Sequence, residues 1–136
     1  MLTIRWWSRW QVGPERDTGG PVIVSVTDFT AHSPLSLPGI ARAGVRLGMG
    51  WYGLPGAVGL YLWTDPLRRR TGSVSVWTDK RSMRRWVGLP LHVEIMRRYR
   101  TRGALRSHLW ERDVLDRRAI RAEANRILDG HVPIGR

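Results

Sequence analysis

The chain predicts an α+β fold in which helices pack on one face of a four-stranded antiparallel sheet. Three observations lead there. Apolar residues alternate with period two in four separate segments, helical spacing appears between them, and recognisable caps or breakers mark the joints. The resulting order is strand, helix, strand, strand, helix, strand and a helical tail, which is the ferredoxin-like split βαβ order.

Residues 1–20 read as an arm. The arm carries Trp6, Trp7 and Trp10 and ends in the turn-rich run from Gly13 to Gly20. Three exposed indoles would be costly in water, so it is expected to pack on the body of the protein or across a subunit interface. Val22 to Phe29 forms the first strand, with Val22, Val24 and Val26 on one side and Ile23, Ser25 and Thr27 on the other. Pro34 and Pro38 are expected to break the chain after it.

Ile40 to Met49 has helical spacing, with Ile40, Ala43, Val45 and Leu47 apolar. Ala57 to Thr64 is the second strand. Simple alternation there places Val58, Leu60 and Leu62 on one face and Ala57, Gly59, Tyr61 and Trp63 on the other. Asp65-Pro66 ends it, and Arg68 to Arg70 lead into the third strand, Ser73 to Trp77, as a hairpin-like connection. Asp79 is an N-cap for a helix whose buried stripe is Met83, Trp86 and Val87. Gly88-Leu89-Pro90 interrupts that helix, and Pro90 suits the first position of a new one. Gly103 closes this helix, Ala104 to Trp110 supplies the fourth strand, and Asp116 to Leu128 is a last helix stopped by Gly130. Residues 21–113 thus make the sheet-and-helix domain, with residues 114–136 its C-terminal helix and tail.

A chain of 136 residues fits one domain. The absence of cysteine excludes disulfides, thiolate nucleophiles and cysteine-ligated metals. Without an apolar run of about 20 residues or a signal-peptide cleavage site, a cytoplasmic protein with no membrane span is expected. The net charge of +12 suits acidic partners or anionic substrates through long-range attraction. Lys80 is the only lysine, and the arginines are spread over polar helix faces and turns, which argues against a dedicated nucleic-acid surface. Base stacking on Trp6, Trp7 and Trp10 is the form such binding would take. No paired nucleophile, phosphate-binding glycine loop or His-x-Glu metal signature supports a hydrolase or a nucleotide-dependent enzyme.

His92 is the side chain with the strongest claim to chemistry. It shares a helix stripe with Ile95, Met96 and Tyr99, and its place in a first turn disfavours imidazolium. A neutral ring there can accept a proton or bind a metal. The plainer alternative is a core histidine hydrogen-bonded to a carbonyl or to Ser75. His32 beside Asp28 resembles a dyad but reads as a surface turn, and His108 faces either the same cleft or solvent. Trp63 and Trp77 are expected to share one sheet face, whose aromatic area a second copy of the chain would cover. A homodimer is therefore expected.

The run Ser73-Val74-Ser75-Val76-Trp77-Thr78-Asp79, followed by Met83, Trp86, His92, Met96-Arg97-Arg98, Gly103 and Leu109-Trp110, resembles the dimeric α/β-barrel superfamily. The branches it resembles are the spheroidene-monooxygenase-like and antibiotic-biosynthesis-monooxygenase-like ones. That likeness implies two ferredoxin-like subunits packed sheet to sheet. It makes His92 a candidate axial ligand of haem, with Trp63, Trp77, Trp86, Met96 and Tyr99 around the cofactor or substrate. The N-terminal arm has no counterpart in it.

The expected function is a small homodimeric oxygenase-type enzyme acting on an apolar or aromatic metabolite, with His92 or Tyr99 managing a proton, or with His92 holding haem iron. The rival is a non-catalytic ligand- or partner-binding protein of the same fold.

Overall fold

In the computed structural model residues 5–15 and 19–130 are described; parts of the arm (residues 1–4 and 16–18) and the tail (residues 131–136) lie outside them. In chain order the elements are β1 (Trp6–Trp7), β2 (Gln11–Val12), β3 (Val22–Ala31), α1 (Leu37–Gly48), β4 (Ala57–Asp65), β5 (Arg70–Trp77), α2 (Lys80–Val87), α3 (Pro90–Tyr99), β6 (Gly103–Arg112) and α4 (Arg117–Leu128). The sheet is antiparallel throughout, with β4, β5, β3 and β6 side by side and the short β1 and β2 both added to β4. This is the predicted α+β ferredoxin-like arrangement, enlarged by the arm. Among the described residues no helix is long and apolar enough to cross a membrane.

Local chemistry accounts for the joints. Asp79 accepts a hydrogen bond from the Ser82 amide at 2.8 Å, and Asp116 accepts one from the Ala119 amide at 3.0 Å, so both carboxylates satisfy first-turn donors. Pro38 does not break the chain. It lies in the first turn of α1, where a missing amide costs nothing. The third strand begins at Arg70, three residues before the serine-valine alternation. It can do so because Arg69 takes the left-handed conformation (φ 56°) that turns the chain back.

Period two decides most of the facing, and a β-bulge between Ala57 and Gly59 overrides it in β4. Past the bulge, Val58 joins Tyr61 and Trp63 in one core, while Ala57 joins Leu60 in the other. Trp63 stands opposite Gly72, five residues before Trp77 on β5, so Trp63 and Trp77 lie on opposite faces of the sheet, contrary to the sequence expectation. Both are buried, Trp63 at 1% exposure and Trp77 at 0%, so neither leaves aromatic area for a second copy to cover.

The first face carries Val22, Val24, Val26, Val74 and Val76, and the chain covers it itself. The last helix, α4, lays Ile120, Ala124, Ile127 and Leu128 on it, an i, i+4, i+7, i+8 stripe. The arm completes the cover. Trp7 and Trp10 meet Tyr61 edge to face at 5.6 and 4.9 Å, and Arg121 and Arg117 of α4 lie over those two indoles at 5.0 and 5.7 Å. Two of the three arm tryptophans are thus used in packing, which removes them as stacking platforms for bases; Trp6 alone stays 64% exposed. On the same side Arg70 grips Asp28 with two hydrogen bonds (3.1 and 2.6 Å) and donates to the Leu128 carbonyl at 2.7 Å, tying the end of α4 to the sheet.

Candidate functional site: a pocket between sheet and helices

The opposite sheet face, toward α1, α2 and α3, is covered unevenly. At one end Trp51, Trp77 and Trp86 pack ring against ring, with centroids 4.9 to 5.5 Å apart. At the other end Phe29, Ala31 and Leu37 form a small cluster against Ile40 and Tyr99. Between them the helices stand off the sheet, leaving a pocket of about 990 Å³.

Its floor follows from the serine and threonine positions of the alternating strands. Thr27 pairs with both Ser73 and Ser107 in the sheet register, giving a row of hydroxyls across three strands. The Thr27 and Ser73 hydroxyls bond each other at 2.9 Å. Ser25 extends this polar patch, and Leu60, Leu62 and Leu105 make the rest of the floor apolar. The alternation of Ser and Thr against Val in β3 and β5 was the sequence signal for this floor. It was not read as a binding surface, because period two gives a face but not what stands above it.

The roof comes from three helices. Gly44 of α1 lacks a side chain where one would touch Leu62, at 3.7 Å from a notional β-carbon. Met83 and Trp86 come from α2, and His92, Met96 and Tyr99 from α3. Val87, expected to be buried, remains 45% exposed at the end of α2, and Val45 is 54% exposed on α1. The third helix buries no residue completely, and Met96 is 40% exposed. It is a lid resting on the pocket more than a core helix.

His92 faces inward, as its position in the stripe predicted. Its ring meets Trp86 edge to face at 4.9 Å, and its Nδ1 atom is buried without a hydrogen-bond partner. Burial lowers its pKa below the ordinary 6.5, an effect only partly offset by the residue's own backbone, so the ring is neutral at pH 7. Ser75 is not its partner: Nδ1 has none, and the Ser75 hydroxyl instead accepts from Trp77 Nε1 at 2.9 Å. Tyr99 lies at the far end of the same roof, its phenol oxygen 2.7 Å from where a β-carbon at Gly39 would stand. That glycine lets α1 and α3 approach.

Of the residues expected around the ligand, Trp86, Met96, His92 and Tyr99 do line the pocket. Trp77 does not; it is sealed beneath Trp51 and Trp86. Trp63 borders the pocket at β4, but its ring belongs to the opposite core, between the guanidinium groups of Arg5 (5.5 Å) and Arg70 (5.8 Å). The Asp28 and His32 dyad does not form, because Asp28 turns to the α4 side and pairs with Arg70 while His32 is exposed. His108, opposite Val26 in the register, shares the α4 side and points away from the pocket.

Haem was the cofactor implied by the resemblance. An axial imidazole needs its second nitrogen held by an acceptor that orients the ring. His92 has a buried nitrogen with no such acceptor among the described residues, so the residues present do not fit the group. What the arrangement offers instead is a neutral base in an apolar room floored with hydroxyls.

No family model matches the chain, and no curated protein matches it. Solved structures do. SnoaB, a cofactor-independent oxygenase from Streptomyces nogalater, matches with a TM-score of 0.53 at 21% identity, over 69% of this chain and 95% of its own. A putative antibiotic biosynthesis monooxygenase from Nitrosomonas europaea matches at 0.59 and 8% identity, over 74% and 97%. Another, from Caulobacter crescentus, matches at 0.57 and 10%, over 71% and 92%. At such identities these matches establish the fold alone: the chain shares the ferredoxin-like fold of antibiotic biosynthesis monooxygenases.

Proposed function

We propose that this protein is an oxygenase-type enzyme that binds an apolar or aromatic metabolite between sheet and helices and oxidises it without a resident cofactor. The observation that carries the reading is His92: a neutral imidazole on the wall of a pocket large enough for a polycyclic substrate, with Nε2 the nitrogen left to meet a ligand because Nδ1 is shut off from solvent. A general base must reach the proton it removes, and burial keeps this one unprotonated at neutral pH. An electron-rich phenol or enol that gives its proton to His92 becomes an anion that reduces O2 and forms a C–O bond at a ring carbon still carrying hydrogen. The hydroperoxide then loses that hydrogen and breaks its O–O bond, leaving a quinone or ketone carbonyl and water, so the substrate supplies all four electrons. Tyr99, at the other end of the roof, is suited to hydrogen-bond the oxygen that gains charge. The likeness to a cofactor-independent oxygenase of the same fold supports the reading.

A homodimer belongs to this proposal with its interface moved. The sheet face that the resemblance gives to a partner is filled by α4 and the arm. Among the described residues β6 pairs only with β3, which leaves its other edge, ten residues long, for the β6 of a second copy. Light scattering at twice the protomer mass, lost on Ser107→Pro, is the expected result.

The test of function is oxygen uptake with a panel of polycyclic phenols and hydroquinones, beside His92→Gln. Turnover that falls at least about a hundredfold in the variant, with ligand binding retained, is expected for a general base. Saturable binding with no oxygen uptake in the wild type would make this a ligand-binding protein instead.

A further inference from the structure

The charge of the pocket is one-sided. None of its lining residues is an aspartate or glutamate, and His92 is neutral, but two arginines, Arg97 of α3 and Arg100 just past its end, stand on its wall. They extend the line Val93, Met96, Arg97, Arg100, an i, i+3, i+4, i+7 stripe beside the inward one. Val93 (38% exposed), Met96 (40%) and Leu105 (43%) open one side of the pocket to water, and Arg97 and Arg100, themselves exposed, line that same side. The single carboxylate of α3, Glu94, lies 3.7 Å from Arg98 on the outer side, and among the described residues neither Arg97 nor Arg100 has an ion-pair partner.

We infer that the ligand is an amphipathic acid: an apolar or aromatic body that fills the pocket and a carboxylate, sulfonate or phosphate that meets Arg97 and Arg100 at the mouth. This rests on the proposed pocket and adds the class of molecule that enters it. The apolar walls supply affinity in proportion to the area they cover. The two arginines supply orientation, because an acid held at the mouth directs the opposite end of the molecule inward toward the hydroxyl floor and His92. Arginine suits this task, since its planar fork can bind an oxyanion with two parallel hydrogen bonds.

The experiment uses two fluorescent probes with the same aromatic body, anilinonaphthalene sulfonate and the uncharged N-phenyl-1-naphthylamine, titrated into wild type, R97Q/R100Q and R98Q. The wild type is expected to bind the sulfonate about tenfold more tightly than the neutral probe at low salt, as two exposed charge pairs allow. That preference should shrink as salt is raised. The double variant should lose it while keeping its affinity for the neutral probe, and R98Q should keep it. Equal affinity of the wild type for both probes overturns the inference and leaves the pocket standing. So does an equal loss in R98Q, which would assign the effect to the overall positive charge. Failure of both probes to bind removes the pocket reading and this inference together.

Discussion

The imidazole of His92 meets the indole of Trp86 edge to face, with centroids 4.9 Å apart and planes at 73°. The contact places an ionisable ring against an apolar one, and the resulting desolvation holds the His92 pKa below 6.5. The unfolded chain therefore takes up a proton that the folded chain resists. Stability from the neutral ring is complete above about 6.5 and is lost as pH falls through the lowered folded value. Urea midpoints between pH 7 and pH 5 should fall more steeply for wild type than for His92→Phe. Parallel pH profiles would show that the ring is not desolvated.

Arg70 and Asp28 form a two-pronged ion pair, with side chains 13% and 7% exposed. Hydrogen bonding to Asp28 raises the arginine's pKa further, so the pair stays charged wherever Asp28 is ionised. Arg70→Met leaves a buried carboxylate alone and frees the Leu128 carbonyl. A loss of about 3–5 kcal/mol is expected in denaturant titration. Adding Asp28→Leu should restore most of it, because the orphaned charge is then gone.

Gly59 lies under Trp10, and a β-carbon there would fall inside the indole. Gly59→Ala should cost about 1–3 kcal/mol through overpacking. It should also undock the arm, read as faster proteolysis within residues 5–15. Unchanged proteolysis would place the arm's hold elsewhere.

Gly44 has room for a methyl group but not for a branched side chain without entering the pocket. Gly44→Leu should abolish probe and substrate binding while leaving stability equal or up to about 1 kcal/mol higher, since glycine is a poor helix former. Binding that survives this change would move the ligand site away from α1.

Asp79→Ala removes the acceptor for the Ser82 amide and should cost about 1 kcal/mol. The helix it caps carries Trp86, so the His92 pH profile should shift with it if α2 frays. Thermal melts and that profile, measured on one preparation, test both.

Local patterns were legible where one residue decides. Asp79 caps as its position implies, Pro90 opens α3, and the Ser and Val alternation of β5 puts Val74 and Val76 in a core. His92 was legible as an inward residue because period 3.6 assigns faces. Its lack of a partner was not, because an unmet hydrogen bond depends on atoms from other elements.

The sequence by itself determined the order of elements after the arm, the fold class and the helix face that carries the histidine, since caps, breakers and periodicities act within a few residues of chain, whereas the two short arm strands on β4 were not legible. Tertiary structure decided the rest. The register that sets Trp63 opposite Gly72 put Trp63 and Trp77 on opposite faces. Contacts over more than a hundred residues, such as Arg5 to Asn125, let the arm and α4 close the sheet face reserved in the expectation for a partner. The pocket exists because three helices stand away from the other face, and a void between elements has no sequence of its own.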